Sequence, residues 1–166
     1  MSAEDRDDSI TITRAALTDA TSLALITALN AELSDLYPEP GANHFTLDPE
    51  QVTGGRGAFL VIRVNGDAVG CGAVRVLDDA TAELKRMYTA PVARGTGLGR
   101  KLVAALEAEA RALGVRRLVL ETGTRQHAAL ALYEKCGFRR IPLFGEYCLS
   151  PDTSICMGKD LDAPAA

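Results

Sequence analysis

Residues 94–99 read Arg-Gly-Thr-Gly-Leu-Gly, and this short run is the part of the chain best suited to bind a charged ligand. Its glycines, Gly95, Gly97 and Gly99, lie between a β-like segment (residues 82–89) and a long amphipathic helical pattern. A loop without side chains at a helix start leaves several backbone N–H groups unpaired and accessible. Those groups and the positive end of the helix dipole attract anions. The run therefore predicts a site for a phosphate or pyrophosphate.

Two common nucleotide-binding patterns do not match this run. A dinucleotide fingerprint counted from Gly95 and Gly97 needs a third glycine where the chain has Arg100. A Walker A loop counted from Gly95 also needs glycine at that position, and Lys101 is followed by Leu102 instead of Ser or Thr. The spacing thus argues against NAD-type and ATP-type loops.

Two segments resemble one known family. The pattern Arg94-x-x-Gly97-x-Gly99 resembles the pyrophosphate-binding signature of the GNAT superfamily, the acetyl-CoA-dependent N-acetyltransferases. Residues 131–138 (Ala-Leu-Tyr-Glu-Lys-Cys-Gly-Phe) resemble its Leu-Tyr-x-x-x-Gly-Phe signature. The resemblance implies acetyl-CoA as cosubstrate and CoA as product. The residues it places on the cofactor are Met87, Tyr88, Thr89, Arg94, Gly95, Thr96, Gly97, Leu98, Gly99, Arg100 and Gln126.

Acetyl transfer to an amine needs a neutral nucleophile, a polarised thioester carbonyl and a proton for the leaving thiolate. The resemblance assigns the base to Glu83, acting directly or through water, and the proton donor to Tyr133. It also implies that the strand of Glu83 separates from its neighbour, so that backbone groups of residues 87–89 bind pantetheine. The plainer interpretations are a salt-bridged strand residue for Glu83 and a core aromatic for Tyr133. Gln126 stands where the family often has asparagine, which leaves its contact open.

The sequence says less about the binding site of the amine that accepts the acetyl group. The resemblance places it between the first helices and the last strands, and nominates Tyr37, His44 and Tyr147. Arg75, Lys85 and Arg86 on the central strands either pair with a substrate carboxylate or are ordinary paired surface charges. Residues 83–88, 120–123 and 144–147 together resemble a subgroup of small bacterial acetyltransferases, for which amino-acid-like acceptors are expected.

Three functions stay open at this point. The first is transfer of acetyl to a primary amine of a small amino-acid-like metabolite by direct attack. The second is acetylation of a protein or peptide amine, and the third is a non-catalytic acyl-CoA sensor. The sequence does not decide the oligomeric state and leaves a homodimer open.

Length and composition limit the class of protein. The 166 residues, 47% of them hydrophobic, suit one globular domain, predicted over residues 9–162 with disordered tails at 1–8 and 163–166. A net charge of −4 argues against nucleic-acid binding. Neither a membrane span nor a signal peptide is evident, which predicts a cytoplasmic protein without a membrane partner. The four scattered cysteines and two histidines predict buried, reduced thiols and no metal site.

The periodicity of apolar residues predicts the strands and helices that must position these side chains. Its order is β-α-α-β-β-β-α-β-α-β-β, with a hairpin at residues 65–66 (Asn-Gly) and a short second helix near Pro49. This order resembles the GNAT fold throughout. The expected class is α/β (α+β), with a mixed, mostly antiparallel twisted sheet, helices at its sides and a splayed strand pair.

Overall fold

Seven strands form one sheet in the computed structural model, which describes residues 8–39 and 47–161. The strands are β1 (Ile10–Arg14), β2 (Gly57–Val64), β3 (Asp67–Val76), β4 (Thr81–Thr89), β5 (Arg117–Gly123), β6 (Arg139–Ile141) and β7 (Ser154–Asp160). The helices are α1 (Ala20–Leu36), α2 (Leu98–Ala112) and α3 (His127–Lys135), and short 3₁₀ segments span Pro49–Val52, Pro91–Ala93 and Gly145–Leu149. His44 and almost all of the two predicted tails lie outside the described residues.

The strand order is β1-β2-β3-β4-β5-β7-β6, and every neighbouring pair is antiparallel except β4 and β5. Antiparallel neighbours can be joined by short turns, but a parallel pair needs a long crossover. Helix α2 supplies that crossover between β4 and β5. The predicted mixed, mostly antiparallel sheet is therefore confirmed.

The predicted hairpin joins β2 and β3. Asn65 and Gly66 both have positive φ angles, 51° and 89°, and Val64 pairs directly with Asp67. Two left-handed residues in a two-residue turn match the right-handed twist of the flanking strands. The Asn-Gly pair sets the register of the two strands in this way.

Each face of the sheet carries its own apolar core. Leu102 and Leu106 of α2, with relative exposures of 1% and 0%, pack on one face in a cluster that includes Leu84 of β4. On the other face, Leu25 of α1 packs in a cluster with Ala73 of β3. Because side chains alternate along a strand, the residues of β4 next to Leu84 point toward the α1 face. We call the side of the sheet that packs against α1 the α1 face.

Two local expectations differ from the structure. The second helix near Pro49 is only one 3₁₀ turn, Pro49–Val52, closed by a capping box between Asp48 and Gln51. Two left-handed glycines follow within three residues, so the turn cannot continue as a helix. Buried thiols were expected at all four cysteines, but Cys136 is only partly buried and Cys148 is exposed; the strand expected at residues 138–141 is present as β6.

No helix in the described ranges is long and apolar enough to cross a membrane.

Candidate active site

The glycine run forms the loop that leads into α2. Gly95 and Gly97 have φ angles of 79° and 81°, and nothing lies within 4 Å of the position where a Cβ would stand. Gly97 is the N-cap residue of α2, no side chain caps this helix end, and its first turn carries no acidic residue. The backbone N–H groups at the start of α2 therefore remain available to an anion.

At position 99, glycine is required for a different reason, the close packing of two helices. A Cβ at this position would lie 2.9 Å from Cδ2 of Leu132, so the missing side chain lets α2 approach α3 closely. Leu98, the neighbouring residue, is 3% exposed and packs against Ile62 and Ala93. The predicted cofactor loop thus combines backbone freedom at two glycines with helix packing at the third.

Arg94 connects the glycine loop to two other elements. Its Nη2 lies 2.7 Å from both carboxylate oxygens of Glu32 on α1, and its Nε donates to the carbonyl of Thr89 at 2.9 Å. The Thr96 hydroxyl donates to the carbonyl of Ala93 at 2.6 Å. The guanidinium is placed beside the loop, and an anion there would compete with Glu32 for it.

Strands β4 and β5 separate at their carboxyl ends. Their last paired residues are Leu84 and Leu120, although β4 continues to Thr89 and β5 to Gly123. Residues 87–89, which include the predicted cofactor contacts Met87 and Tyr88, thus lack β5 as a hydrogen-bonding neighbour, while Tyr88 and Thr89 remain paired with β3. The separation opens a gap in the sheet between the two strands, beside the glycine loop.

A β-bulge lies in β4 just beyond the last pair with β5. The register places Arg86 and Met87 opposite the single residue Gly72, and Arg86 has a φ of 55°, which is uncommon for a residue with a side chain. The Nη1 of Arg86 lies 3.3 Å from Oδ1 of Asn30 on α1. The bulge therefore turns Arg86 toward the α1 face, where regular alternation has already placed Lys85.

Glu83 is completely buried on the α1 face. Its Oε1 accepts from Nε of Arg75 at 2.9 Å and forms an ion pair with Nη2 of the same residue at 2.8 Å. Its Oε2 accepts from the Tyr147 hydroxyl at 2.5 Å. Three residues predicted for two different roles, base and acceptor binding, thus form one hydrogen-bonded group.

Lys85 lies beside this group. It is 7% exposed, and its Nζ is 3.5 Å from Oε1 of Glu146. Burial lowers the pKa of the Lys85 ammonium and of the Arg86 guanidinium, against the attraction of nearby carboxylates. Two cations in partly desolvated positions are suited to an anionic partner.

Glu121 on β5 was missed by the sequence interpretation. It follows Leu120, the last residue that pairs with β4, and it is partly exposed. Burial and the nearby Glu83 carboxylate raise its pKa to about 7, while Lys85 and a hydrogen bond with Ser154 act in the opposite direction. A signal was present in the sequence, because Glu121 is the charged residue that directly follows the apolar run 118–120.

Tyr133, the predicted proton donor, is 5% exposed on α3 and makes an edge-on contact with the Phe138 ring, with centroids 5.9 Å apart. Burial raises the pKa of its hydroxyl, and the nearby Cys136 and Glu121 act in the same direction.

Tyr37 and Gln126 hold the loop after β5. The Tyr37 hydroxyl accepts from the backbone N–H of Arg125 at 2.8 Å, and the Arg125 guanidinium lies 5.0 Å from the Tyr37 ring centre. Oε1 of Gln126 accepts from the N–H of Gly123 at 2.8 Å. A Cβ on Gly123 would collide with the Tyr37 hydroxyl. These contacts join α1 to the end of β5.

The comparisons with known proteins agree with this architecture. Residues 23–138 match the acetyltransferase (GNAT) family. An IAA acetyltransferase from Azospirillum brasilense is 40% identical over 153 residues, covering 92% of this chain and 98% of that protein. The chain therefore belongs to the GNAT family and is an N-acetyltransferase, a member of the acyltransferases.

Solved structures show the same fold. A Klebsiella pneumoniae protein described as an acyl-CoA N-acyltransferase is 41% identical with a TM-score of 0.78, over 92% of this chain and 98% of that one. The yncA protein from Salmonella typhimurium, solved with its cofactor acetyl-CoA, is 25% identical with a TM-score of 0.68, over 95% and 97% of the two chains.

Proposed function

We propose that the enzyme transfers the acetyl group of acetyl-CoA to the primary amine of a small metabolite that also carries a carboxylate. The observation that carries this proposal is the gap between β4 and β5. An uncapped helix N-terminus lies beside the gap, and two partly buried cations lie on the α1 face next to it. A ligand in the gap would lie between an anion site and a carboxylate site.

The residues around the gap fit acetyl-CoA. The N–H groups at the start of α2 and the left-handed glycines suit its pyrophosphate, and the free edge of β4 suits the amides of its pantetheine arm. Thr122 Oγ1 is one of two buried side-chain oxygens in the described ranges without a hydrogen-bond partner. An unpaired buried hydroxyl is costly, so a polar ligand atom near Thr122 would relieve it. When bound, acetyl-CoA supplies an activated thioester.

The acceptor class is argued from Lys85 and Arg86. The bulge stores backbone strain at Arg86, and such strain persists only where the surrounding structure compensates for it. Its result is that two consecutive cations share one face of the sheet. A carboxylate accepts two N–H bonds from a guanidinium in one plane, which a neutral group does less well. An amino-acid-like acceptor therefore suits this face best, with Tyr133 as the proton donor to the leaving sulfur.

The test compares pairs of acceptors that differ only by a carboxylate, such as an amino acid and the amine formed by its decarboxylation. Release of free thiol from acetyl-CoA is measured for each. We expect a lower KM for the acid, and Arg86→Gln is expected to raise that KM about tenfold while the KM for the decarboxylated amine stays the same. A lower KM for the decarboxylated amine would contradict the acceptor class. Preference for a peptide amine would indicate a protein acetyltransferase, and CoA binding without thiol release a sensor.

A further inference from the structure

Two consecutive residues of the 3₁₀ segment Gly145–Leu149 contact two residues of β4 on the α1 face. The Tyr147 hydroxyl donates to Oε2 of Glu83 at 2.5 Å, and Oε1 of Glu146 lies 3.5 Å from Nζ of Lys85. Glu83 and Lys85 are two positions apart on one strand, so they point to the same side of the sheet. A carboxylate of the protein itself therefore lies at one of the two cations that the proposed function assigns to the acceptor.

Glu146 acts on both cations of β4. Burial lowers the pKa of the Lys85 ammonium and of the Arg86 guanidinium, and the Glu146 carboxylate opposes the shift at each of them. A desolvated cation is costly unless an opposite charge lies beside it. In the enzyme without an acceptor, Glu146 thus supplies part of the negative charge that these two cations require.

The contact between Glu146 and Lys85 is suited to exchange. Its N–O distance of 3.5 Å is longer than the 2.8 Å between Arg75 and Glu83, and longer than the about 2.7–2.9 Å of a charge-assisted hydrogen bond. The Glu146 side chain is 40% exposed, whereas that of Lys85 is 5% exposed. Rotation of the Glu146 side chain into solvent would therefore uncover the ammonium, while Tyr147 keeps the segment bound to Glu83.

We propose that Glu146 determines acceptor specificity by occupying the Lys85 site until the carboxylate of an acceptor replaces it. This inference rests on the proposed function. No covalent bond changes in the exchange, because one carboxylate leaves the ammonium and another takes its place. A carboxylate tethered in the same chain competes at an effective concentration on the order of millimolar. Glu146 thus excludes free anions, whereas an acceptor whose amine is already held in the gap also presents its carboxylate at a high effective concentration.

The experiment compares the wild type, Glu146→Gln and Glu134→Gln at saturating acetyl-CoA. The acceptors are the amino acid with the highest kcat/KM in the thiol-release assay and the amine formed by its decarboxylation. Sodium acetate, as a competitive inhibitor, is the probe for an anion without an amine. Titration of the enzyme–CoA complex with acetate, followed by NMR, measures the same competition without turnover.

We expect Glu146→Gln to lower the KM for the amino acid and the inhibition constant of acetate, each about fivefold, which is the upper range for a partly exposed ion pair. The KM for the decarboxylated amine should stay the same, because that amine has no carboxylate to bring to Lys85. Glu134→Gln, at an exposed position of α3, removes the same charge and should keep all three wild-type values.

Three outcomes in the Glu146→Gln variant would overturn the inference and leave the proposed function standing. Unchanged values for the amino acid and for acetate would show that Glu146 does not occupy the acceptor's cation site. A higher KM for the amino acid would show that Glu146 helps to hold the acceptor. An equal fall in KM for both acceptors would show that the carboxylate of the acceptor is not what replaces it. A wild type that prefers the decarboxylated amine would remove the proposed function, and this inference with it.

Discussion

At the scale of single residues, Tyr133 combines near-complete burial with a proton that is difficult to remove. Burial next to Phe138 raises the pKa of its hydroxyl, so the group stays protonated at neutral pH. A protonated phenol near the leaving sulfur can hydrogen-bond to the thiolate as it forms. Because the thiol (pKa about 8.5) is a stronger acid than this phenol, the transfer is favourable only when the phenol is reprotonated by a proton that leaves the amine.

Removal of that hydroxyl should affect turnover more than binding. We expect Tyr133→Phe to lower kcat by roughly 10- to 100-fold, with little change in the KM for acetyl-CoA, because the ring and its contact with Phe138 remain. Steady-state kinetics and a thermal melt check this. A wild-type kcat in the variant would assign Tyr133 to the core alone.

Glu121 links the site to stability. Its carboxyl pKa is raised from 4.5 to about 7 in the folded chain, so the folded state disfavours the charged form. The stability associated with the neutral form is fully present below about pH 4.5 and is lost as pH rises through 7. In the variant Glu121→Gln the side chain cannot ionise, so the variant keeps this stability as the pH rises.

We therefore expect Glu121→Gln to be more stable than the wild type at pH 8, by about 1–3 kcal/mol, and nearly equal to it near pH 4.5. Urea unfolding of both proteins at the two pH values measures the difference. Glu134→Gln, a change of the same type at an exposed position, should show no comparable gain. An equal stability difference at both pH values would contradict the linkage.

At the scale of elements, the start and end of α2 offer a matched pair of glycines. Gly97 precedes the helix with a φ of 81°, and Gly114 follows it with a φ of 83°. Neither would have a neighbour within 4 Å of an added Cβ. Alanine at either position would thus cost only the backbone strain, about 1–2 kcal/mol.

The two variants should differ in ligand binding. We expect Gly97→Ala and Gly114→Ala to lose similar stability in urea unfolding, while only Gly97→Ala raises the KM for acetyl-CoA, by roughly tenfold, because the N–H groups at the helix start are displaced. Equal KM values in the two variants would show that the loop conformation does not matter for the cofactor.

The separation of β4 from β5 is also a property of elements. Four residues of each strand pair in parallel, and the pairing ends at Leu84 and Leu120. The bulge that turns Arg86 follows in β4, and the crossover helix comes after it. The strand pattern in the sequence indicates both strands but does not show where their pairing stops. The bulge has no sequence signal of its own, because Arg86 is not a residue type that favours positive φ.

At the scale of the whole molecule, a ligand that binds only the folded protein must stabilise it. We expect CoA at about 100 times its Kd to add about 2.7 kcal/mol to the stability, and the melting temperature to rise accordingly. NAD and ATP at the same concentration should leave it unchanged, because their glycine patterns are absent. Thermal melts with the three compounds make the comparison, and a shift with NAD or ATP would count against the cofactor assignment.

The local sequence determined much of the fold, because the signals are short-range. Alternation of apolar residues, the Asn65–Gly66 turn and the glycines before α2 each act within a few residues, and all appear where they were expected. Resemblance to the family then added the cofactor and the proton donor, and the family itself is confirmed. The roles of the acceptor-binding residues and of the base remain predictions.

Tertiary structure decided how these groups combine. Glu83, predicted as the base, is bound to Arg75 and Tyr147, and Tyr147 is 64 positions away in the chain. Glu121 becomes notable only when β5 lies beside β4 and burial raises its pKa. Such effects depend on the distance between charges and on the exclusion of water, and both are set by the packing of distant segments. Residue types and spacing are enough to predict the cofactor loop, because its signal lies within a few residues. The positions of the carboxylates relative to one another are decided only by the folded sheet.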